Sequence, residues 1–190
     1  MYLIRGQHNL KLFKSRHPNV LLSGTIGNFD GLHLGHQAIL EKIKNNAQKY
    51  NAKTIVFFTE PHAAEYFSKV RDKNQIPPPR ICPWREKFQL LKKSKIDFAC
   101  FLKFNSKLRT MSPDDFISQI LDSINLVSFT VGDDFRFGAG RKGDTDLLKN
   151  WGEKKGILVE NTETITLDGQ RVSSTRISCL LYTSDAADEE

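Results

Sequence analysis

The sequence predicts an α/β protein: a parallel sheet with helices on both faces. Two observations predict it. Short apolar runs alternate with amphipathic stretches along nearly the whole chain, the order expected of repeated strand–helix units. One of those runs, Lys53 to Phe58, is almost continuously apolar, as a strand buried on both faces must be. The 190 residues suffice for one such domain with a sizeable core.

Taken in order, residues 1–19 read as a short strand or arm followed by a polar connection. Val20 to Gly27 is the first confident strand. It runs into Gly27-Asn28-Phe29-Asp30-Gly31-Leu32-His33-Leu34-Gly35-His36. An amphipathic run from Gln37 to Tyr50 leaves that loop, with Ile39, Ile43 and Ala47 on one helical face. Lys53 to Phe58 is the second strand. Thr59 to Phe67 reads as a loop at its carboxyl end, where open α/β sheets bind ligands. Residues 71–80 turn charged and then proline-rich, which predicts an exposed loop. Trp84 to Ser94 reads as a helix with Phe88 and Leu91 inward, and Phe98 to Leu102 as the third strand. Ser112-Pro113-Asp114-Asp115 opens a helix with a Ser cap, Pro in first position and acids in the first turn; Phe116, Ile120 and Ile124 share its buried face. Phe129 to Val131 is the fourth strand. It enters a loop, Gly132 to Asp144, that mixes glycines, charges and two aromatics. A helix from about Asp146 to Lys155 follows, then a strand from Ile157 to Glu160. Thr164–Leu167 and Gln170–Val172 read as a hairpin around Asp168-Gly169. Ser173-Ser174-Thr175-Arg176 reads as the capped start of a last helix.

Composition narrows the function classes. Three cysteines, widely spaced and without a Cys-x-x-Cys, argue against a disulfide framework or a zinc site and fit a reducing compartment. No run of about 20 apolar residues could span a membrane. The N-terminus lacks the apolar core of a signal peptide, so a cytoplasmic location is expected. The formal net charge is +6, but the basic residues are scattered, and the densest patches (Lys92-Lys93-Ser94-Lys95 and Lys154-Lys155) fall at helix ends, where cations suit the dipole. A basic nucleic-acid-binding module would want aromatics interleaved with Lys or Arg on one face; only Arg136 between Phe135 and Phe137 hints at one. Neither nucleic acid nor membrane is expected as a partner, and the sequence gives no oligomeric state.

The chemistry sits in the loops. Gly27, Gly31 and Gly35 permit close backbone approach, and a strand–loop–helix junction aims N–H groups at an anion. His33 and His36, about one turn apart, can both face a phosphate. Neither adjoins a Ser or Cys nucleophile, which favours charge stabilisation over covalent catalysis.

The His33-Leu34-Gly35-His36 signature resembles the nucleotidylyltransferase superfamily. The longer string from Gly27 to His36 resembles the FMN adenylyltransferase (FAD synthetase) module of the prokaryotic bifunctional riboflavin kinase/FMN adenylyltransferases. Glu60-Pro61-His62 is similar to that family's Pro-His-Pro loop, with Ala63 in place of the second proline. Arg80 with Arg85-Glu86-Lys87, Val131 through Asp144, and Val172-Ser173-Ser174-Thr175-Arg176-Ile177 resemble its remaining motifs, in family order. The resemblance implies a Rossmann-like nucleotidylyltransferase fold over residues 1–177. It also implies adenylyl transfer from ATP to FMN, giving FAD and pyrophosphate with Mg²⁺, within flavin cofactor biosynthesis. It makes His33 and His36 the catalytic pair. Gly27, Asn28, Phe29, Asp30, Gly35, Pro61, His62, Phe67, Asp134, Phe135, Arg141, Ser173, Ser174, Thr175 and Arg176 become nucleotide- or flavin-binding residues, and none is assigned as a metal ligand.

Plainer readings stand beside these. Phe67 with Tyr66 could be core, Asp133 and Asp134 could cap a turn, and Phe135 with Phe137 could be one apolar face. Ser173 to Thr175 could be only a helix cap, and Asp30 could bond its own loop rather than meet Mg²⁺. The alternative enzyme is another small-molecule nucleotidylyltransferase of the same superfamily.

The chain departs from the family pattern at its end. Ser178 stands where the last motif has an arginine. Residues 178–190 carry four acids and no Lys or Arg and fit no part of the pattern, so a truncated reading frame with a foreign tail is expected. No riboflavin kinase domain is expected in the chain as given, and loss of the motif arginine is expected to impair turnover.

Overall fold

The computed structural model describes residues 1–71, 80–163, 166–167, 170–172, 174 and 176–178. Six strands form one all-parallel sheet: β1 (Tyr2–Arg5), β2 (Leu22–Ile26), β3 (Lys53–Glu60), β4 (Phe98–Lys103), β5 (Leu126–Gly132) and β6 (Leu158–Thr162), in the order β1-β4-β3-β2-β5-β6. The order reverses beside β2. From β2 the chain builds outward to β3 and β4 on one side, where β1 forms the edge, and then to β5 and β6 on the other. Such a switch point opens a crevice at the strands' carboxyl ends.

The period-2 alternation of strands sends side chains to two cores. Ile55 and Phe57 of β3 join Leu22, Ile26, Cys100, Leu102, Phe129 and Val131 on one face. Val56 and Phe58 join Ala99 on the other. The first face is covered by Leu10 of α1 (His8–Arg16), by Phe116 of α6 (Pro113–Phe116) with Ile120 of the π-helical turn Ile117–Leu121, and by Leu148 and Trp151 of α7 (Thr145–Lys155). The second is covered by Leu40 and Ile43 of α2 (Leu34–Lys49) and Leu91 of α4 (Trp84–Lys93). Two further helices, α3 (Ala63–Arg71) and α5 (Ser106–Thr110), lie in the β3–β4 and β4–β5 connections.

Local chemistry explains most boundaries. Ser112 caps α6 by accepting from the Asp115 amide at 3.0 Å, with Pro113 in the first turn. Asp144 caps α7 through the Leu147 amide at 2.9 Å, and Gly156 ends that helix in the left-handed conformation. The hairpin forms as β7 (Thr166–Leu167) and β8 (Gln170–Arg171), with Thr166 opposite Arg171. Its Asp168-Gly169 turn, the proline-rich loop from 72 to 79 and the tail from 179 lie outside the described residues.

Three expectations need correction. The polar connection expected before Val20 contains α1, held by the fully buried Leu10 and the partly buried Phe13, while its Leu12 stays exposed. The loop expected from Thr59 to Phe67 is instead the end of β3 followed by α3, so Phe67 is a helical residue. The first strand is shorter than expected, Leu22–Ile26, because the Val20 amide is already engaged in a turn with the His17 carbonyl.

Gly152 shows how closely α7 approaches β6. A Cβ there would stand 2.6 Å from the Ile157 carbonyl oxygen and 2.5 Å from Val159 Cγ2. Gly152→Ala gains about 1 kcal/mol of helix propensity but must displace backbone, and overpacking of this kind costs about 1–3 kcal/mol. Net destabilisation is expected in urea titration; a more stable variant would show that α7 can slide outward freely.

Candidate active site

Three neighbouring strands, β3, β2 and β5, deliver the sequence-marked loops to the same edge of the sheet. The loop after β2 folds tightly. Phe29 and Leu32 adopt positive φ (47° and 42°), and Gly31 does too at 74°. A Cβ on Gly31 would also stand 2.7 Å from Ile81 Cγ2, so both backbone and space require glycine there. Phe29 is fully buried and anchors the loop in the second core.

His33 is the N-cap of α2, and His36 lies in that helix's first turn. Their rings stack, with centroids 3.8 Å apart and an interplanar angle of 23°; Phe29 backs His36 at 4.8 Å. Gly35 lies against them: a Cβ there would stand 3.2 Å from His33 Cε1, with the Val172 carbonyl oxygen 3.9 Å away. Burial, and then the neighbouring His33 and Lys87, push the His36 imidazole down to about 3, against the opposing pull of Asp30. His36 is therefore neutral near pH 7. Its Nδ1 is buried with no hydrogen-bond partner among the described residues.

Asp30 neither bonds its own loop nor stands open to a cation. Its carboxylate accepts from the amides of Ile81 and Cys82, both at 3.0 Å, and its carbonyl accepts from Ser174 Oγ at 3.1 Å. Burial would raise this carboxyl, but the two amides and His62 outweigh it and hold it below its ordinary value. Asp30 thus ties the loop after β2 to the segment before α4 and to Ser174, in the last helical stretch among the described residues.

At the end of β3, Glu60 and Pro61 are joined by a cis peptide, and His62 is buried. His62 Nε2 lies 2.8 Å from Lys87 Nζ. Burial, then Lys87 and Arg80, push His62 down to about 4. Arg80 forks onto Glu60 (2.6 and 2.9 Å) and pairs with Glu65 of α3. Those bonds, the Glu65 contact foremost, raise the guanidinium's pKa further.

The other expected residues divide. Ser174 joins the site through Asp30, and Arg176 is half-buried in the same helical turn. Asn28 and Asp134 are exposed, Asp134 in the turn that follows β5. Phe135 packs on the first core and stacks on Phe137 at 5.6 Å, the plainer of its two readings. Phe67 is half-buried against Tyr66 and Phe104, with the Arg109 guanidinium 5.5 Å over its ring. Arg141 is exposed in the turn Ala139–Arg141, in a loop closed by paired hydrogen bonds between Phe137 and Gly143. Ser173 and Thr175 lie outside the described residues. Ser178, in the position of the motif arginine, is buried. Lys87, which the sequence marks only as part of the Arg85-Glu86-Lys87 motif and to which it gives no role, is fully buried among these groups. It shares the α4 face of Leu91, four residues on; a lysine on an apolar stripe was the available signal.

The two depressed histidines predict acid lability. Each stays neutral in the fold but binds a proton at its ordinary value of 6.5 once unfolded. As pH falls through 6.5 toward about 4, the unfolded state holds more protons and stability drops, by up to ~1.4 kcal/mol per pH unit for each histidine. Asp30 and Glu65, both depressed, lose their contribution lower still, so they act in the same direction. Thermal midpoints should fall steadily from pH 7 to pH 4.5, and less steeply in His62→Gln; a level profile would contradict the burial of both rings.

Comparison with known proteins agrees with this geometry. The family model described as FAD synthetase matches residues 15–176. The chain is similar to proteins named bifunctional riboflavin kinase/FMN adenylyltransferase. It is 37% identical to that of Pseudomonas fluorescens (97% of this chain, 56% of the relative) and 39% identical to that of Escherichia coli strain K12 (93% and 54%). For Haemophilus influenzae the identity is 36%, over 97% of this chain and 57% of the relative. The chain therefore spans about half the length of the curated relatives it matches. A crystal structure described as a macrolide-efflux protein from Streptococcus pneumoniae superposes with a TM-score of 0.75 at 21% identity, over 93% of this chain and 56% of that one, which shows a shared fold. No helix among the described residues is long and apolar enough to cross a membrane. With the histidine pair at the sheet's switch point, the Pro61-His62 corner beside it, and a family match that runs from α1 to Arg176, the chain belongs to the FAD synthetase family.

Proposed function

We propose that this chain transfers the adenylyl group of ATP to FMN, forming FAD and releasing pyrophosphate. The observation that carries the reading is the stacked His33–His36 pair at the N-terminus of a 16-residue helix, on the central strand of a parallel sheet, in a chain of this family. Helix dipole and free amides favour phosphate there. An FMN phosphate oxygen attacks the α-phosphorus in line as the bond to the β-phosphate oxygen breaks. The charge that grows on the leaving pyrophosphate calls for donors already in place. His36 supplies a neutral N–H donor, and with Nδ1 buried the contact falls to Nε2.

Pro61, His62 and Phe67 are proposed to shape the flavin side. Asn28, Asp134, Arg141, Ser173, Ser174, Thr175 and Arg176 are proposed to contact nucleotide or flavin. Asp30 is committed to two amides, so we assign it to loop closure. Among the described residues no cluster of three His, Cys, Asp or Glu could hold a metal. Mg²⁺ is proposed to enter as part of the MgATP substrate. Residues 1–177 are proposed as the transferase domain, acting in the cytoplasm, where the free thiols Cys82 and Cys100 stay reduced.

The test is to incubate the chain with ATP, Mg²⁺ and FMN and to follow FAD and pyrophosphate in equal amounts. FAD from the chain supports the reading. FAD only after Ser178→Arg supports it and places the defect at position 178. FAD from neither, with both proteins folded, overturns it.

A further inference from the structure

A lysine with no exposed surface is rare, because an ammonium leaves water only where charges and hydrogen bonds replace it. Lys87 is such a residue, on the first turns of α4. Its Nζ lies 5.3 Å from the centroid of the Phe58 ring and 2.8 Å from His62 Nε2. Titratable groups reach it from every side: Asp30 from the loop after β2, His36 from α2, Glu60 and His62 from the end of β3, and Arg80 and Cys82 from the segment before α4, with Glu65 of α3 behind Arg80. Burial lowers the ammonium's pKa, while the Asp30 and Glu60 carboxylates oppose that loss.

We propose that Lys87 is a positioning residue for the transfer reaction, acting through His62: its buried ammonium donates to Nε2 and so fixes the imidazole proton on Nδ1. An ammonium has donors and no acceptor, so the nitrogen facing it must offer a lone pair. The single proton of the neutral ring is then held at Nδ1, and that edge of His62 is a donor, suited to a phosphate or flavin carbonyl oxygen. The same cation disfavours protonation of both His62 and His36, which keeps the two rings in one hydrogen-bonding state near neutral pH. A neutral side chain at position 87 would free His62 to exchange tautomers and rotate. The inference rests on the adenylyl-transfer reading for its effect on rate, but the Lys87–His62 geometry is measurable without it.

The experiment is imidazole ¹⁵N spectroscopy on the labelled full chain, with FAD formation measured on the same samples. The wild-type protein should show His62 neutral at pH 7 with its proton on Nδ1. In Lys87→Met the tautomers should mix and His62 and His36 should titrate at higher pH. kcat should fall about tenfold, the order seen when an outer-shell partner of a functional histidine is lost. Lys87→Arg, which keeps a cation, should recover part of the rate. In a His62→Gln background, Lys87→Met should add less than about a twofold loss, since coupled residues are not additive. A wild-type spectrum with the proton on Nε2 overturns the proposal. So does a folded Lys87→Met protein whose His62 titration is unmoved and whose turnover stays within about twofold. If Lys87→Met does not fold, the wild-type spectrum decides. Absence of FAD from the wild-type chain and Ser178→Arg alike would count against adenylyl transfer, and the spectrum would still report on the tautomer.

Discussion

His36→Asn should lower kcat for FAD formation by about 10²–10³-fold, a loss of roughly 3–4 kcal/mol of transition-state stabilisation, the size expected when one preorganised donor is removed. The KM values for ATP and FMN should change much less, because the donor meets its full charge only as pyrophosphate leaves. Asn keeps a polar group against Phe29 and His33, so the fold should survive, and a circular dichroism melt checks that. His33→Asn should fall in the same range. The double variant should lose far less than the product of the two, since the stacked rings act on one developing charge. A folded His36→Asn protein within about threefold of the parent kcat would remove His36 from the catalytic machinery.

Asp30→Ala should be the most destabilising single change at the site, by about 3–5 kcal/mol. Two charge-assisted bonds disappear, and the Ile81 and Cys82 amides are left unpaired, Cys82 in a buried setting; each unmet buried donor costs about 1–3 kcal/mol. Asp30→Asn keeps one acceptor oxygen and should lose roughly half as much. Urea midpoints at pH 7 measure both. Activity should fall with stability, because the loop that places Gly31 and His33 is no longer tied to the segment before α4. A loss below about 1 kcal/mol in Asp30→Ala would mean that water replaces the carboxylate without strain.

Most of the fold was legible because burial on two faces leaves a strong trace. Thr54 to Phe58 could only be an interior strand, and Ser112-Pro113 and Asp144 announce their helices through cap chemistry. The missed helices carry weak traces. His8–Arg16 has one fully buried residue in nine, so its period is faint. Ala63–Arg71 follows Pro61-His62, with no Ser, Thr, Asp or Asn directly before it to mark a helix start. The site was legible where a motif is local, as in His33 to His36. It was not where partners come from distant segments. Asp30 reaching Ile81 and Cys82, and Lys87 reaching His62, depend on how α4 lies under β3, and charged side chains are read from sequence as solvated. Phe135 and Phe67 are harder to read, since an aromatic in such a stretch packs on its neighbours whether or not it also meets a ligand.

The position of β2 between β3 and β5 also sets when the crevice can come into being. The pairing of β2 with β3 joins residues about thirty apart, but its other edge waits for β5, where Ser23 and Ser128 share a buried hydrogen bond across 105 residues of sequence. Closing so long a loop is entropically late and kinetically slow. During synthesis His33 and His36 emerge well before β5, so the β5 side of the crevice is absent until that strand has followed. The stacked histidine pair is thus made well before the sheet around it can close.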